Sequence, residues 1–384
     1  MAQKTRLFIP GPTPVPPAVA EAMARPLIGH RTQDFADLYE RLERKLKQVF
    51  GTENDVYILT ASGTGGMEAA VANAVNPGDK VLALVTGKFG ERFAELARVY
   101  GADVDAVEFG WGNPVDAAAV EEKLKYRKYK AVLATHNETS TTVLNDIKSI
   151  GALTRRYDAL LLVDAVSSLG GVELRAEDWG VDILVTASQK ALMVPPGLAM
   201  VSVSPKAWKI IEGSRSPRYY FSLPAAKKSF AKYNTPYTPA VSLFSGLDVA
   251  LDMILAEGLA NVYQRHITFS KATREALKAL GLELLAPENH ASPVVTGAWV
   301  PKGMNADSLR QKVRQEYGIV LAGGQDGLKG QVFRIAHMGY VDAVDILGAI
   351  AALEISLAGT GYPVEFGRGV AAAQAVFAGG NQSV

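Results

Sequence analysis

Cysteine is absent from the 384 residues of this chain. Disulfide bonds, thiolate metal ligands and a catalytic thiol are therefore excluded. An excess of either charge is absent as well, because 40 lysine and arginine residues are balanced by 39 aspartate and glutamate residues. A chain with so little net charge has no field that attracts nucleic acid or an anionic membrane, so we expect neither as a partner.

Long apolar segments are also missing. No run approaches the roughly 20 apolar residues that span a bilayer, and prolines interrupt an N-terminus that lacks a signal-peptide core. These absences predict a soluble protein of the cytoplasm. The hydrophobic content of 48% is enough for a large core, and the length favours two domains.

The first two thirds of the chain alternate between β-rich and helical segments. Several of the β-rich segments are apolar on both faces, as strands are when helices cover both sides of a parallel sheet. The pattern predicts an α/β fold whose large domain has a mainly parallel seven-stranded sheet sandwiched by helices. An amphipathic helix is predicted over 34–49. Strands are expected at 56–60, 80–85, 103–109, 131–135, 160–164, 183–186 and 198–203.

From about residue 256 the pattern changes. We expect a large domain over 18–255 and a smaller α+β domain made of 1–17 and 256–384. The tail after Gly367 is rich in glycine and alanine and is predicted to be a frayed helix. The elements expected after residue 254 are helices over 255–280, 306–317 and 341–357 and strands at 294–300 and 332–336.

Lys190 and Asp164 are the residues that first indicate chemistry. Asp164 ends an apolar strand, and Lys190 follows the next one after the small polar turn of Ser188 and Gln189. An amine that forms a Schiff base and a carboxylate that keeps a pyridine nitrogen protonated are the two groups that pyridoxal 5'-phosphate requires. A surface lysine after a strand is the alternative interpretation, and the remaining motifs argue against it.

A glycine-rich turn joins a strand to a helix over residues 60–73. This order predicts free backbone N–H groups and the positive end of a helix dipole at Thr64, Gly65 and Gly66, which suits a phosphate group. The hydroxyls of Ser62 and Thr64 are further donors. The glycine spacing does not match nucleotide-binding motifs, and a turn without any ligand is the alternative.

Two more turns follow predicted strands. Phe89, between Gly87 and Gly90, is placed to stack on a planar ring, with an ordinary position in the core as the alternative. The hydroxyl groups over 135–142 suit the phenolic oxygen of the cofactor. His136 lies in this segment without another histidine or an acidic pair at ligand spacing, so no metal site is expected.

Taken in order, these motifs resemble the class V, fold-type I aminotransferases of the alanine–glyoxylate and serine–pyruvate group. The resemblance extends over nearly the whole chain. Its segments are ProGlyProThrProValPro at 10–16, SerGlyThrGly at 62–65, GlyLysPheGlyGluArg at 87–92, HisAsnGluThrSerThr at 136–141, ValAspAlaValSerSerLeuGlyGly at 163–171, SerGlnLys at 188–190, ProAlaValSerLeu at 239–243 and PheArgIleAlaHisMetGly at 333–339.

The resemblance implies roles for individual residues. Lys190 is implied to be the Schiff-base lysine and Asp164 the partner of the pyridine nitrogen. Phe89 is the implied ring-stacking aromatic, Thr139 lies near the cofactor oxygen, and Arg334 binds the substrate α-carboxylate. The other implied contacts are Ser62, Thr64, Gly65, Gly66, Val166 and Gln189 with the cofactor and Gly11 with the substrate.

The resemblance also implies a homodimer with shared active sites. In such enzymes a segment of the neighbouring subunit contacts the phosphate, and Thr235, Tyr237 or Thr238 suits that role here. His30 and Arg31 resemble the pair that phosphoserine-type relatives use against an anionic substrate tail. Arg31 is equally suited to an N-terminal salt bridge, so both interpretations stay open.

The implied activity is transamination. Alanine, serine or aspartate is expected as the donor, and glyoxylate, pyruvate or 2-oxoglutarate as the acceptor. A lyase or hydrolase of the kynureninase type and a phosphoserine-type aminotransferase are the alternatives. A cysteine desulfurase shares the fold but needs a thiol that this chain lacks. A non-catalytic binding protein is disfavoured because Lys190, Asp164 and Arg334 are all present.

Overall fold

Two large sheets and a short ribbon, surrounded by helices, make up the computed structural model, which describes residues 4–380. The helices are α1 (Pro17–Met23), α2 (Gln33–Phe50), α3 (Gly63–Ala74), α4 (Lys88–Val99), α5 (Ala117–Tyr126), α6 (Ile147–Arg156), α7 (Pro205–Glu212), α8 (Leu223–Phe230), α9 (Val241–Glu257), α10 (Leu259–Ala279), α11 (Ala306–Tyr317), α12 (Ala343–Ala358) and α13 (Arg368–Gly380). The strands are β1 (Arg6–Phe8), β2 (Val56–Thr60), β3 (Lys80–Val85), β4 (Asp103–Glu108), β5 (Ala131–Thr135), β6 (Asn137–Glu138), β7 (Val143–Leu144), β8 (Leu160–Asp164), β9 (Ile183–Ala187), β10 (Leu198–Val203), β11 (Val295–Trp299), β12 (Ile319–Gly323) and β13 (Val332–Ala336).

The larger sheet has seven strands in the order β2-β10-β9-β8-β5-β3-β4. Strands β3, β4, β5, β8 and β9 pair in parallel, and β10 is antiparallel to both of its neighbours. Every residue of β5, β8 and β9 is buried, as expected for strands that helices cover on both faces. The predicted α/β fold with a mainly parallel seven-stranded sheet is confirmed.

Helix α2 shows how the sequence builds the core beside this sheet. Its apolar stripe packs inward, and the ring centroids of Phe35 and Phe244 from α9 are 5.2 Å apart. Gly51 ends the helix with a φ of 58°, a left-handed conformation that costs glycine little. The buried residues of the predicted stripe, each at most 4% exposed, are Phe35, Leu38, Leu42, Leu46 and Val49.

The smaller sheet has the order β1-β12-β13-β11, with β1 parallel to β12. It carries a second core, to which α10, α11, α12 and α13 contribute. Strands β1 and β12 were not predicted. With only three residues, β1 is too short to show alternation in the sequence, and β12 follows the helix α11 with only Gly318 between them.

Two predicted helices differ in the structure. The helix expected over 255–280 is interrupted, because Gly258 between α9 and α10 has a φ of 84°. The described part of the tail after Gly367 is the helix α13, which packs against α10 and α12 instead of fraying, and residues 381–384 lie outside the described range. Phe377 of α13 contacts Phe269 edge to face, with ring centroids 5.9 Å apart.

The expected domain boundaries stay a prediction. The core around the larger sheet draws on residues from Val19 to Val262, and the core around the smaller sheet on residues from Phe8 to Ala373. In the described range, 4–380, no helix combines the length and the apolar character that crossing a membrane requires.

The start of helix α13 leads to a first prediction. Glu354 of α12 is 3% exposed, and its carboxylate accepts the amides of Gly367 (2.9 Å), Gly369 (2.7 Å) and Val370 (3.1 Å). Glu354→Ala removes the acceptor of three amides, so we expect the free energy of unfolding to fall by about 1–3 kcal/mol. Amide hydrogen exchange in α13 should accelerate while that in β8 stays slow.

Glu365→Gln is the matched control, because the Glu365 side chain is 80% exposed near the same helix start. Its exchange pattern should equal that of the unmodified protein. If Glu354→Ala left exchange in α13 unchanged, the apolar contacts of α13 alone would account for its docking.

Candidate active site

The carboxyl ends of β5, β8 and β9 meet at one edge of the larger sheet. Thr135 is paired with Asp164, and Asp164 with Val185. Asp164 is the last residue of β8, and Lys190 follows shortly after the end of β9. Parallel pairing therefore brings the two residues to the edge at which ligands bind in open α/β sheets.

The N-terminal segment closes over the turn that carries Lys190. The Nζ of Lys190 donates a hydrogen bond to the carbonyl oxygen of Pro10. A Cβ atom on Gly11 would lie 2.7 Å from this Nζ, and the φ of 128° at Gly11 also requires glycine. Thr13 donates from its amide to the Gln189 carbonyl (3.2 Å) and from its hydroxyl to the Lys190 carbonyl (2.8 Å). Gly11 therefore lies beside Lys190.

Burial controls the charge of Lys190 and Asp164. Burial lowers the pKa of Lys190 to about 8; Asp164 opposes this shift, and the charges of Arg334 and Arg92 reinforce it. Asp164 is 3% exposed, and burial raises its pKa to about 7, although the Val166 amide donates to its Oδ1 at 2.8 Å. Such an amine can gain or lose a proton in neutral solution, and a cation beside Asp164 would stabilise its carboxylate form.

Helix α3 begins at the same edge, because β2 leads directly into it. Its N-cap is Ser62, whose hydroxyl oxygen accepts the Gly65 amide at 3.3 Å and whose carbonyl accepts the Gly66 amide at 3.1 Å. The prediction that these two amides are free is wrong, because the helix already starts at Gly63. In the chain as described from 4 to 380, the amides of Gly63 and Thr64 have no acceptor. They are the donors that a phosphate would meet.

Close packing joins the start of α3 to the end of β8. A Cβ atom on Gly63 would lie 2.8 Å from a side-chain carbon of Val166, and one on Gly66 would lie 2.7 Å from a side-chain carbon of Val185. Glycine at both positions lets the helix approach the sheet edge without a clash. The glycine turn and Asp164 therefore share one corner of the fold.

Phe89 lies in the first turn of α4, which a buried carboxylate holds. Glu138 is fully buried and accepts the amides of Phe89 (3.0 Å) and Gly90 (3.1 Å). Its other oxygen accepts the amide (3.1 Å) and the hydroxyl (2.5 Å) of Ser140. Burial raises the pKa of Glu138, and these donors oppose that shift. The Arg92 guanidinium lies 4.9 Å from the centroid of the Phe89 ring.

Arg334 is tied to the segment that carries Thr139. The Arg334 side chain is buried; its Nε donates to the Gly323 carbonyl at 2.9 Å and its Nη1 to the Thr139 carbonyl at 2.6 Å. The Thr139 hydroxyl donates to the Ser167 oxygen at 2.8 Å. Burial lowers the pKa of Arg334 to about 10, which leaves the guanidinium cationic at neutral pH. A buried cation of this kind suits a carboxylate ligand.

Four predicted site residues are not connected with this edge by hydrogen bonds. Arg31 donates to the carbonyl oxygens of Thr235 (2.6 Å) and Pro236 (3.3 Å) of its own chain. Over the part of the chain that the structure describes, no hydrogen bond joins any of the four residues to the sheet edge. They are His30, Arg31, Thr235 and Thr238. One chain alone thus brings Arg31 and Thr235 together without connecting them to Lys190.

Three residues of the site were not predicted from the sequence. Glu138 and Arg92 lie inside the motifs that were recognised, and their charge was the available signal. Ser167 gave no signal beyond its hydroxyl, yet it accepts hydrogen bonds from Asn137 (2.9 Å) and Thr139. Contacts between different turns, rather than spacing, identify all three.

The polar groups at this edge fit pyridoxal 5'-phosphate. Gln189, Asn137 and Thr135 each have a buried side-chain oxygen that has no hydrogen-bond partner in residues 4–380, which is rare for buried polar atoms. All three residues lie at or just after the ends of β5 and β9. Together with a half-buried amine, a buried carboxyl group and a helix N-terminus, they provide partners for an aldehyde, a pyridine nitrogen and a phosphate.

Comparison with known proteins leads to the same family. The profile of the family Aminotransferase class-V matches residues 6–342. The L-aspartate–glyoxylate aminotransferase of Paracoccus denitrificans is 41% identical, over 97% of this chain and 96% of its own length. A Synechococcus protein named soluble hydrogenase, small subunit, is 45% identical, over 98% of this chain and 99% of its own length. The structure of pyridoxamine–pyruvate aminotransferase from Mesorhizobium loti is similar with a TM-score of 0.94 and 33% identity, over 99% of this chain and 98% of that one.

These matches extend over most of the chain and agree with the geometry at the sheet edge. The expectation drawn from the motifs is confirmed, including the fold and the cofactor. The chain belongs to the class V aminotransferases, which are enzymes that depend on pyridoxal 5'-phosphate.

Proposed function

We propose that the protein transfers the amino group of a small L-amino acid, such as alanine, serine or aspartate, to an oxo acid such as glyoxylate, pyruvate or 2-oxoglutarate. The observation that carries this proposal is the convergence of the half-buried amine of Lys190 with the buried carboxyl group of Asp164 and the buried guanidinium of Arg334. The names of the Paracoccus and Mesorhizobium relatives specify glyoxylate and pyruvate, which supports these two acceptors.

Lys190 is the proton carrier in this proposal. Pyridoxal 5'-phosphate, when bound, supplies an aldehyde for the amino group and a ring that draws electrons away from Cα. Because burial lowers the pKa of Lys190 to about 8, its amine can accept the Cα proton and return it at neutral pH. Asp164 holds the pyridine nitrogen in its protonated form through a buried charge pair.

The other residues orient the reactants. Hydrogen bonds from Nε and Nη1 hold the Arg334 guanidinium in place, and Nη2, which has no acceptor among residues 4–380, is left for the substrate α-carboxylate. Phe89 would stack on the cofactor ring, and the amides of Gly63 and Thr64 would bind its phosphate. The remaining proposed contacts are Ser62, Thr139, Val166 and Gln189 with the cofactor and Gly11 with the substrate.

The name of the Synechococcus relative describes a different activity. Iron–sulfur clusters are held by cysteine thiolates, and this sequence contains no cysteine. The sheet edge instead supplies the amine and carboxyl group that amino-group transfer requires. Transamination is therefore the activity that the residues of this chain favour.

The alternatives from the sequence differ in their products. Release of a cleaved side-chain fragment would identify a lyase or hydrolase of the kynureninase type. A phosphoserine-type activity would need a cation for the phosphate of the substrate, but Arg31 donates to backbone carbonyls of its own chain. A panel of amino acids, followed by the change in cofactor absorbance, separates these activities from transfer to an oxo acid.

We further propose a homodimer in which Thr235 or Thr238 of one copy contacts the phosphate bound by the other. Tyr219 and Tyr220, near these residues, are 79% and 47% exposed, and Tyr237 stacks on Tyr220 with ring centroids 5.2 Å apart. Exposed aromatic clusters are typical of protein interfaces. A monomer that is fully active at micromolar concentration would overturn this proposal.

The proposed role of Lys190 predicts a specific chemical label. Borohydride reduction of the protein with its cofactor, followed by peptide mapping, should attach the cofactor to Lys190. Lys190→Ala should give no label and lose the yellow colour of the covalent form. Lys88→Ala, at a half-buried lysine near Phe89, is the control and should label normally. A label on any other lysine would refute the assignment.

The proposed role of Asp164 predicts a severe loss of rate. Removing one partner of a buried charge pair costs about 3–5 kcal/mol, so Asp164→Asn should slow the half-reaction several hundredfold or more. The protein without cofactor offers a second measurement. Because the folded-state pKa of Asp164 is raised to about 7 from 3.8, folded protein binds more protons than unfolded protein between these values. The contribution of Asp164 to stability should therefore fall as pH rises from about 4 to about 7. The buried histidines His136, His266 and His337 contribute with the opposite sign, because burial lowers their pKa values.

Asp164→Asn should remove that part of the pH dependence, and urea unfolding curves at several pH values would measure it. A variant with a normal half-reaction rate would show that another group holds the pyridine nitrogen. An unchanged pH dependence would show that Asp164 does not titrate in this range.

Substitution of Arg31 distinguishes its two possible roles, which are contact with an anionic substrate and a structural contact within the chain. Its hydrogen bonds to the carbonyls of Thr235 and Pro236 favour a structural role, so Arg31→Ala should reduce activity with alanine and aspartate by similar factors. Arg25→Ala, at an exposed arginine nearby, is the control. A selective loss with aspartate of about 1.5–3 kcal/mol, the range of a charge-assisted hydrogen bond, would instead show that Arg31 contacts the substrate side chain.

A further inference from the structure

Arg92 contacts two parts of the proposed site at once. It lies one helical turn after Phe89 in α4, and its guanidinium is 4.9 Å from the centroid of the Phe89 ring. Its Nη1 donates to the Thr64 hydroxyl at 3.2 Å. One side chain therefore connects the residue proposed to stack on the cofactor ring with a residue proposed to lie beside the phosphate.

The position of Arg92 is fixed by the backbone that carries it. The buried Glu138 carboxylate accepts the amides of Phe89 and Gly90 and so holds the first turn of α4. Ser140, which also donates to Glu138, accepts the amide of Lys88 at 3.0 Å. With its helix start held at three successive amides, α4 directs Arg92 toward the start of α3.

The charge of Arg92 acts on Asp164, whose pKa it lowers against the larger effect of burial, but the two side chains do not pair directly. Over residues 4–380 its guanidinium forms no ion pair with a carboxylate. Its positive charge reaches the centre of the site, since it contributes to the lowered pKa of Lys190, for which burial is the main cause. A half-buried arginine without an acidic partner is a ready counter-charge for an anion.

We propose that Arg92 is a positioning residue that holds Thr64 and Phe89 in one arrangement and whose charge favours the phosphorylated form of the cofactor over the form without phosphate. This inference rests on the proposed function, because it assumes that the phosphate binds at the start of α3. The helix terminus supplies only about half of an elementary charge, whereas a phosphate monoester carries nearly two near neutral pH. Arg92 supplies a full charge beside that terminus.

Arginine suits both contacts better than lysine. Its planar guanidinium packs on an aromatic face and keeps donors at its edge for a hydroxyl or an anion. Lysine carries the same charge on a flexible stem and cannot make both contacts with a fixed geometry. Comparing arginine with lysine at position 92 therefore separates the contribution of charge to ligand affinity from the contribution of positioning.

The test compares the binding of two ligands by the protein freed of its cofactor. Pyridoxal 5'-phosphate and pyridoxal are titrated separately into unmodified protein, Arg92→Gln and Arg92→Lys, with absorbance and fluorescence as readouts. Arg92→Gln should bind pyridoxal 5'-phosphate about 10- to 100-fold more weakly and pyridoxal less than about threefold more weakly. Arg92→Lys should recover part of the affinity, because charge remains but the planar contacts are lost.

Arg98→Gln is the matched control. Arg98 is an exposed arginine of the same helix, so its loss changes the net charge equally and should leave both affinities unchanged. Thermal unfolding of each cofactor-free variant shows whether folding is retained. The pair Thr64→Val and Thr64→Val/Arg92→Gln completes a double-mutant cycle, in which the losses should be non-additive because the two side chains act together.

Each outcome decides the inference. Equal losses for both ligands would overturn the proposed preference for the phosphorylated form. No loss for either ligand would overturn the proposed role of Arg92 altogether, and both outcomes would leave the proposed function intact. An additive cycle would overturn the link with Thr64. If the unmodified protein bound no pyridoxal 5'-phosphate, the proposed function would fail and this inference with it.

Discussion

Parallel pairing of β5, β8 and β9 is the constraint on which the proposed site depends. Strands that run in one direction end at one edge, so the turns after them converge although they are far apart in the chain. The register pairs Thr135 with Asp164 and Asp164 with Val185. Lys190 follows β9 and so arrives near Asp164. A slip of one residue would turn Asp164 toward the opposite face of the sheet.

The turns that meet at this edge bring several ionisable side chains together, and each of them needs hydrogen-bond partners or an opposite charge. Asp164, Glu138, Lys190 and Arg334 lie within one region, where burial raises the pKa of both carboxyl groups and lowers that of the amine and the guanidinium. Glu138 is compensated by backbone amides, and Arg334 by backbone carbonyls. Lys190 and Asp164 have fewer partners. Groups that the fold leaves incompletely compensated are those that a bound molecule can use.

Features that depend on local residues could be predicted from the sequence, and features that depend on distant contacts could not. The buried strands were predicted well, because apolar residues on both faces leave a local pattern. Strand β1 and the break at Gly258 left no such pattern, since three residues cannot alternate and a single glycine within a helical segment is ambiguous. The amides of Gly65 and Gly66 were predicted to be free, but the first turn of α3 decides which amides have partners.

The sequence by itself determined the chemistry that is available: a lysine and an aspartate after strands, an arginine in a third motif, a glycine turn before a helix, and no thiol. Those features are local, and their order along the chain identified the family. Only the tertiary structure decided that Glu138 holds Phe89, that Arg92 contacts Thr64, and that Arg31 binds its own chain. The physical reason is that hydrogen bonds between distant turns depend on how the strands and helices pack, and packing leaves no periodic signal in the residues that it brings together.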